Sequence, residues 1–327
     1  MERRAFLVML GSAASVLSGA AGAQTPGRKY HLATLTPVEA LTESSPLGNV
    51  LLTALAQQGY VVGQNLTYTA RSSLDDNFKI PGLLQELKAD GADAIVVIGF
   101  PAALAAKSLG IPTIGAQGLG DPVETGLIYS LSHPGGNITG ISDMATTLTT
   151  KRLSFLKQVS PDIRKVAMLW NPNDLAMSLR YQASAHVAGS LGISVQAFGI
   201  REPDDFGRAF EVMNGNMPDA ILMVADALTN FNRKRVIEFA LARKVPAIYE
   251  YDFYVQDGGL MSYGPDLKES FERAAALVAR IFGGAKPAEL PFEQPTLYTF
   301  AINLKTARSM GLQIPPTLLA LADEVIE

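Results

Sequence analysis

The sequence predicts an α/β protein made of two similar, doubly wound parallel-sheet lobes with a hinge and a ligand cleft between them. Three observations carry that reading. One order of elements occurs twice: Pro37 and Pro172, Asp76 and Asp205, Asp93 and Asp219, and Pro112 and Pro246 are related by offsets of 135, 129, 126 and 134 residues. The strand-like runs are short, apolar on both faces and separated by helical stretches, which is the pattern of parallel sheets in βαβ units. The chain has 327 residues, more than the roughly 250–300 at which a single core stops growing.

The elements follow in order. Residues 1–23 read as a secretory signal peptide: Arg3 and Arg4 form a basic start, residues 5–20 are small and apolar, and Ala21-Gly22-Ala23 is a cleavage site before Gln24. The apolar run is shorter than the roughly 20 residues that span a bilayer. Arg3-Arg4-Ala5-Phe6-Leu7 also fits the twin-arginine pattern, so export by the general secretory or the twin-arginine route stays open. A soluble protein of a Gram-negative periplasm is the expected product. The first strand, 30–35, ends in Thr36-Pro37; its repeat, 165–170, ends in Asn171-Pro172. Helices over 47–58 and 178–189 follow, then strands 65–70 and 194–198. Each of these strands leads to an acidic pair with a nearby aromatic, Asp75-Asp76-Asn77-Phe78 and Asp204-Asp205-Phe206, read as helix N-termini. Strands 93–97 and 219–223, then 110–114 and 244–248, complete the parallel. Runs 126–131 and 260–263 occupy the same place in each half and read as strands feeding the crossovers. Residues 132–140 and 258–265 read as linkers. A helix over 267–282, a strand near 299–302 and a helix over 304–310 close the chain. The expected division is lobe 1 over 24–140, completed by about 261–296, and lobe 2 over 141–260, completed by about 297–327.

Composition removes several functions. Cysteine is absent, which excludes disulfides, thiolate metal sites and Cys nucleophiles. The three histidines, His31, His133 and His186, stand in unrelated contexts and read as structural. Net charge is −4 with no basic block, which argues against a nucleic-acid surface. No P-loop and no G-x-S-x-G elbow occurs, so no catalytic residue, metal or cofactor is expected. Lys151-Arg152 and Arg233-Lys234-Arg235 read as solvated helix faces or as contacts with a partner protein.

In open α/β sheets, ligands sit outside the carboxyl ends of the strands. The repeat therefore singles out loops 35–47, 99–102, 116–122, 170–177, 225–232 and 249–255. From these come the candidate ligand contacts: Thr36, Thr42, Phe100, Gln117, Asp121, Trp170, Asn173, Asp226, Thr229, Asn230, Tyr249, Tyr251 and Asp252. Aromatics with a few polar groups suit a small-molecule pocket. Asp226 either takes a ligand ammonium or caps the next helix. Asp121 also fits a turn before Pro122, and Trp170 a hydrophobic wall behind the cleft.

Several stretches carry a resemblance. They include Gly59-Tyr60-Val61-Val62-Gly63-Gln64-Asn65, Gly120-Asp121-Pro122-Val123, Pro134-Gly135-Gly136-Asn137-Ile138-Thr139-Gly140, Trp170-Asn171-Pro172, Gly258-Gly259-Leu260-Met261-Ser262-Tyr263-Gly264-Pro265 and Ala322-Asp323-Glu324-Val325-Ile326. With them the mature chain resembles the ABC-transporter substrate-binding proteins of the tryptophan-binding-like family, a branch of the type I periplasmic binding proteins. The resemblance implies a monomeric binding protein that captures a small organic solute, an aromatic compound or an amino acid, between closing lobes. It would then deliver the solute to an inner-membrane ABC permease, with presentation to a membrane receptor as the alternative. The family commonly has Gly-Thr before Pro-Ala-Ala; here Gly99-Phe100 stands there. A ring in place of a hydroxyl that could bind a ligand carboxylate points to a more apolar or aromatic solute. Asp226 keeps an acidic position seen in tryptophan-binding relatives, which points to an amine.

Overall fold

A computed structural model describes residues 27–327; the signal peptide read over 1–23 lies outside the described residues. The first lobe is built from β1 (Tyr30–Thr36), α1 (Pro46–Gln57), β2 (Leu66–Ser72), α2 (Ile80–Ala89), β3 (Ala94–Ile98), α3 (Phe100–Leu109), β4 (Thr113–Gln117) and β5 (Ile138–Gly140). The five strands are all parallel, in the order β2-β1-β3-β4-β5. Strand β1 shows why both faces are covered. Tyr30 and Leu32 pack in one buried cluster with α1, whereas Ala33 and Leu35 pack in the other with α2 and α3, the period-2 alternation of a strand between two helical layers.

The second lobe repeats the plan with α4 (Ala145–Val159), β6 (Lys165–Trp170), α5 (Leu175–Ser190), β7 (Ser194–Gly199), α6 (Asp205–Gly215), β8 (Ala220–Met223), α7 (Ala227–Phe231), α8 (Arg233–Arg243), β9 (Ala247–Tyr249), α9 (Asp252–Gln256) and β10 (Met261–Pro265). After it come α10 (Leu267–Phe282), β11 (Tyr298–Asn303), α11 (Leu304–Met310), α12 (Pro316–Leu319) and β12 (Glu324–Ile326). The sheet order is β12-β11-β10-β9-β8-β6-β7. Its β7-β6-β8-β9-β10 part matches the first sheet strand for strand, and only the β10–β11 pairing is antiparallel.

Two expectations change here. The fifth strand of the first sheet is Ile138–Gly140, inside the segment read as a linker, and not 126–131, which is turn and bend. Gly126 takes φ +70°, a left-handed conformation that breaks a strand, while Ile138 and Thr139 are buried beside β4. Strand β10, expected to help complete lobe 1, hydrogen-bonds to β9 and β11 in the second sheet. Helix α10 does pack on the first lobe, against α1 and β4. Its stripe Phe271, Ala274, Ala275, Val278 and Phe282 is buried, and Phe282 stacks on Tyr30 at 4.7 Å with Tyr60 edge-on to both. Such ring pairs add about 1 kcal/mol each beyond their buried area.

The chain therefore passes between lobes three times: after β5, after β10, and before β11. The passages are tied together. Ser142 N donates to Glu293 O and Glu293 N to Gly140 O, both at 2.8 Å, and Asp266 N donates to Leu297 O at 3.0 Å. The Glu269 carboxylate accepts from Leu297 N at 2.8 Å, and Arg273 pairs with both Glu269 and Glu293.

Candidate functional site

The carboxyl ends of seven strands converge on one cavity that is partly open to solvent. Lobe 1 supplies Leu35, Thr36 and Pro37 after β1, Ser73, Asp75 and Asn77 after β2, Ile98, Gly99, Pro101 and Ala102 around the start of α3, and Gln117 and Gly118 after β4. Lobe 2 supplies Asn171 and Asp174 after β6, Ala225, Asp226, Ala227 and Asn230 after β8, and Tyr251 after β9.

Three aspartates dominate this wall. Asp174 is the N-cap of α5, its Oδ1 accepting from Ala176 N at 2.8 Å and Met177 N at 3.3 Å. Asp226 forms a capping box on α7: Oδ1 accepts from Thr229 N at 2.8 Å, while Asp226 N donates to Thr229 Oγ1 at 2.8 Å. Asn171 adds a side-chain hydrogen bond to Asp226. Asp75 arrives by a different device. Leu74 and Asp75 both take left-handed backbone, φ +51° and +61°, uncommon for residues with a Cβ. The kink is held by Leu74 N donating to Ser72 Oγ and Asp75 N donating to Pro37 O at 2.7 Å.

All three carboxyls are pushed above the ordinary carboxylate range. Burial is the main cause, raising Asp75 to about 6 and Asp174 to about 7, and the charge of Asp226 adds to both. Asp226 itself is raised by burial, which outweighs its hydrogen bonds from Thr229 and Asn171. Tyr251 is raised by burial, and Gln117 of the first lobe, in the same cavity wall, works in the opposite direction. The Ser73 hydroxyl is buried in the wall without a hydrogen-bond partner.

Behind this surface lies a buried ion network. Glu250 accepts from Arg152 Nη1 at 3.3 Å and from Arg180 Nη2, and Arg180 Nη1 lies 3.6 Å from Asp143. Arg152 Nε donates to Tyr263 O at 2.7 Å. Burial opposes the Arg180 charge, but Glu250 and Asp143 outweigh it and hold the guanidinium above the usual arginine value. Arg152, expected on a solvated face, is 1% exposed; its carboxylate partner lies 98 residues away in sequence.

Of the candidate residues, Thr36, Gln117, Asp226, Asn230 and Tyr251 line the cavity. The others are spent elsewhere. Phe100 is 4% exposed in the hydrophobic core, because the helix begins there and turns the ring under the sheet; its neighbours Gly99, Pro101 and Ala102 form the wall. Tyr249 is core, stacked on Tyr254 at 5.0 Å. Trp170 stacks on Tyr181 at 3.6 Å. Asp121 caps a turn through Val123 N and Glu124 N, Asp252 at the start of α9 accepts from the adjacent Phe253 N, and Thr42 bonds Ser44. Thr229 is the buried half of the capping box, and Asn173 donates its amide N–H to Asn171 Oδ1. The polar wall residues outside the candidate set are Ser73, Asp75, Asn77, Asn171 and Asp174. The loop after the second strand was legible as another strand end, but its acidic pair fitted a helix cap, and Asp76 does cap Phe78 N.

Comparison with known proteins places this geometry. The family described as ABC transporter substrate binding protein matches residues 47–326. A tyrosine-binding protein of Clostridioides difficile (strain R20291) is 25% identical over 262 residues, covering 80% of this chain and 75% of that protein. Among solved structures, a conserved domain protein of Vibrio cholerae superposes with TM-score 0.84 at 24% identity, covering 91% of this chain and all of the other. An ABC domain from Streptococcus pneumonia in complex with L-Trp superposes with TM-score 0.78 at 24% identity, covering 90% of this chain and all of the other.

Proposed function

The chain belongs to the ABC transporter substrate-binding protein family, and from that premise we propose that it is the periplasmic solute receptor of an importer. It takes a small organic solute, an aromatic compound or an amino acid, into the cleft and hands it to a membrane permease. The observation that carries this reading is the cavity itself, walled by strand ends of both lobes. A solute there touches both lobes at once, so binding favours the arrangement in which they meet, a population shift about the three tied passages. The export reading rests on the N-terminal sequence alone.

The test is calorimetric titration of residues 24–327, unfolded and refolded to strip carried-over solute, against aromatic acids, aromatic amines and amino acids. A ligand at about 100 times its Kd adds roughly 2.7 kcal/mol of stability. The expected result is a saturable hit that Ala225→Trp, which fills the cavity, abolishes. A hit untouched by Ala225→Trp places the solute elsewhere and overturns the reading.

A further inference from the structure

The charge of the cavity wall narrows the solute class, resting on the reading that this cavity holds the solute. Asp75 comes from the first lobe, and Asp174 and Asp226 from the second. Among the described residues, no lysine, arginine or histidine lines the cavity with them. Arg180, whose charge reaches Asp174 and Asp226, is committed to Glu250 and Asp143.

A zwitterionic amino acid needs a place for its carboxylate as well as its ammonium, and among the described residues no cationic side chain lines the wall to pair with a carboxylate; two of the neutral donors there are already engaged. The Thr36 hydroxyl donates to Glu39 O at 2.6 Å. At the start of α3, Phe100 N donates to Gly118 O at 3.0 Å, and Pro101 has no N–H. The Ser73 hydroxyl is buried, unpartnered and in the same wall; it can accept a hydrogen bond from an ammonium or donate one to an oxygen of the solute. Among the described residues no three His, Cys, Asp or Glu converge closely enough to hold a metal ion, while Leu35, Ile80, Ile98 and Tyr251 give the wall an apolar part for a carbon skeleton.

We propose that the solute is an organic cation, an amine or polyamine without a carboxylate of its own, held between Asp75 of the first lobe and Asp174 and Asp226 of the second. The placement also couples charge to closure. Carboxylates on opposite lobes repel when the cleft is empty, and a cation between them turns that repulsion into attraction.

Matched pairs test this by calorimetry on the refolded mature protein: phenethylamine, tyramine, tryptamine and 1,4-diaminobutane against phenylalanine, tyrosine, tryptophan and ornithine, which differ only by the α-carboxylate. The expected result is at least one amine binding about tenfold or more tighter than its amino acid, with Asp75→Asn weakening that amine by about tenfold. Amino acids binding as tightly as their amines, no amine binding at millimolar concentration, or an Asp75→Asn protein with unchanged amine affinity overturns the proposal. Ala225→Trp separates the two failures. If it abolishes binding of a preferred amino acid, the cavity reading stands and only the cation assignment falls. If it leaves binding intact, the cavity reading falls with it. Circular dichroism and melting of each variant confirm that it folds.

Discussion

At the scale of the residue, the three aspartates do two jobs that conflict. Asp174 and Asp226 close helix N-termini, which favours their charge, yet burial of both carboxyls works the other way. Asp174→Asn keeps the cap, since asparagine caps as well as aspartate, and removes the buried charge. We expect it to stabilise the empty protein at pH 8 by on the order of 1–3 kcal/mol, read as a higher Tm, while weakening any bound cation. The sign with pH follows from the same shifts. Asp75 at about 6 and Asp174 at about 7 lie above the unfolded value of about 3.9. Their contribution to stability is therefore complete below about pH 4 and is lost as pH rises through about 6 and 7. The charged groups facing them are Asp226 for both and Arg180 for Asp174. The Tm difference between the wild type and the Asp75→Asn, Asp174→Asn double variant should accordingly grow from pH 5 to pH 8, in favour of the variant. A bound cation prefers ionised carboxylates, so its affinity should climb over the same range with release of protons, measurable by calorimetry in buffers of different ionisation enthalpy.

At the scale of the element, the network of Arg152, Glu250, Arg180 and Asp143 joins α4, α5, the turn after β9 and the passage after β5. Asp143 also accepts from Gly120 N of the first lobe at 3.2 Å. The network costs desolvation and gains stability only while complete. Glu250→Ala leaves two guanidiniums buried with no shared carboxylate, and the expected loss is about 3–5 kcal/mol, measured by denaturant unfolding with an unchanged slope. None of this was legible in the sequence. Periodicity places Arg152 on a helix, but whether that face meets water depends on β10, which lies more than a hundred residues on; Arg152 Nε bonds Tyr263 O across that gap. The same limit hid Phe100. Its position at a strand end was readable, whereas the direction of its ring is set by where α3 starts. Asp226 was readable because it follows a strand and is a residue type that caps helices, and the structure shows it capping α7 and lining the cavity.

At the scale of the molecule, the repeat made the fold legible, since two runs of alternating strands and helices with near-constant offsets admit few topologies. What the repeat could not place was the close contact between the halves. Gly120 after β4 shows how tight that contact is. It takes φ +66°, and a Cβ built there would lie 2.8 Å from Ala176 Cβ at the start of α5 in the other lobe. Its amide simultaneously donates to Asp143 in the first passage between lobes. A side chain at this position meets three penalties together: left-handed backbone, costing about 1 kcal/mol or more without glycine, overlap with α5, and displacement of the amide from Asp143. The overlap with α5 is relieved if the lobes move apart, so Gly120→Ala should favour the separated arrangement while each lobe keeps its own core. The expected signature is an increased radius of gyration by small-angle scattering with an unchanged circular dichroism spectrum. Solute affinity should fall by the fraction of molecules that no longer bring Asp75 opposite Asp174 and Asp226. An unchanged radius together with unchanged affinity would mean that Gly120 and α5 do not govern how the lobes meet.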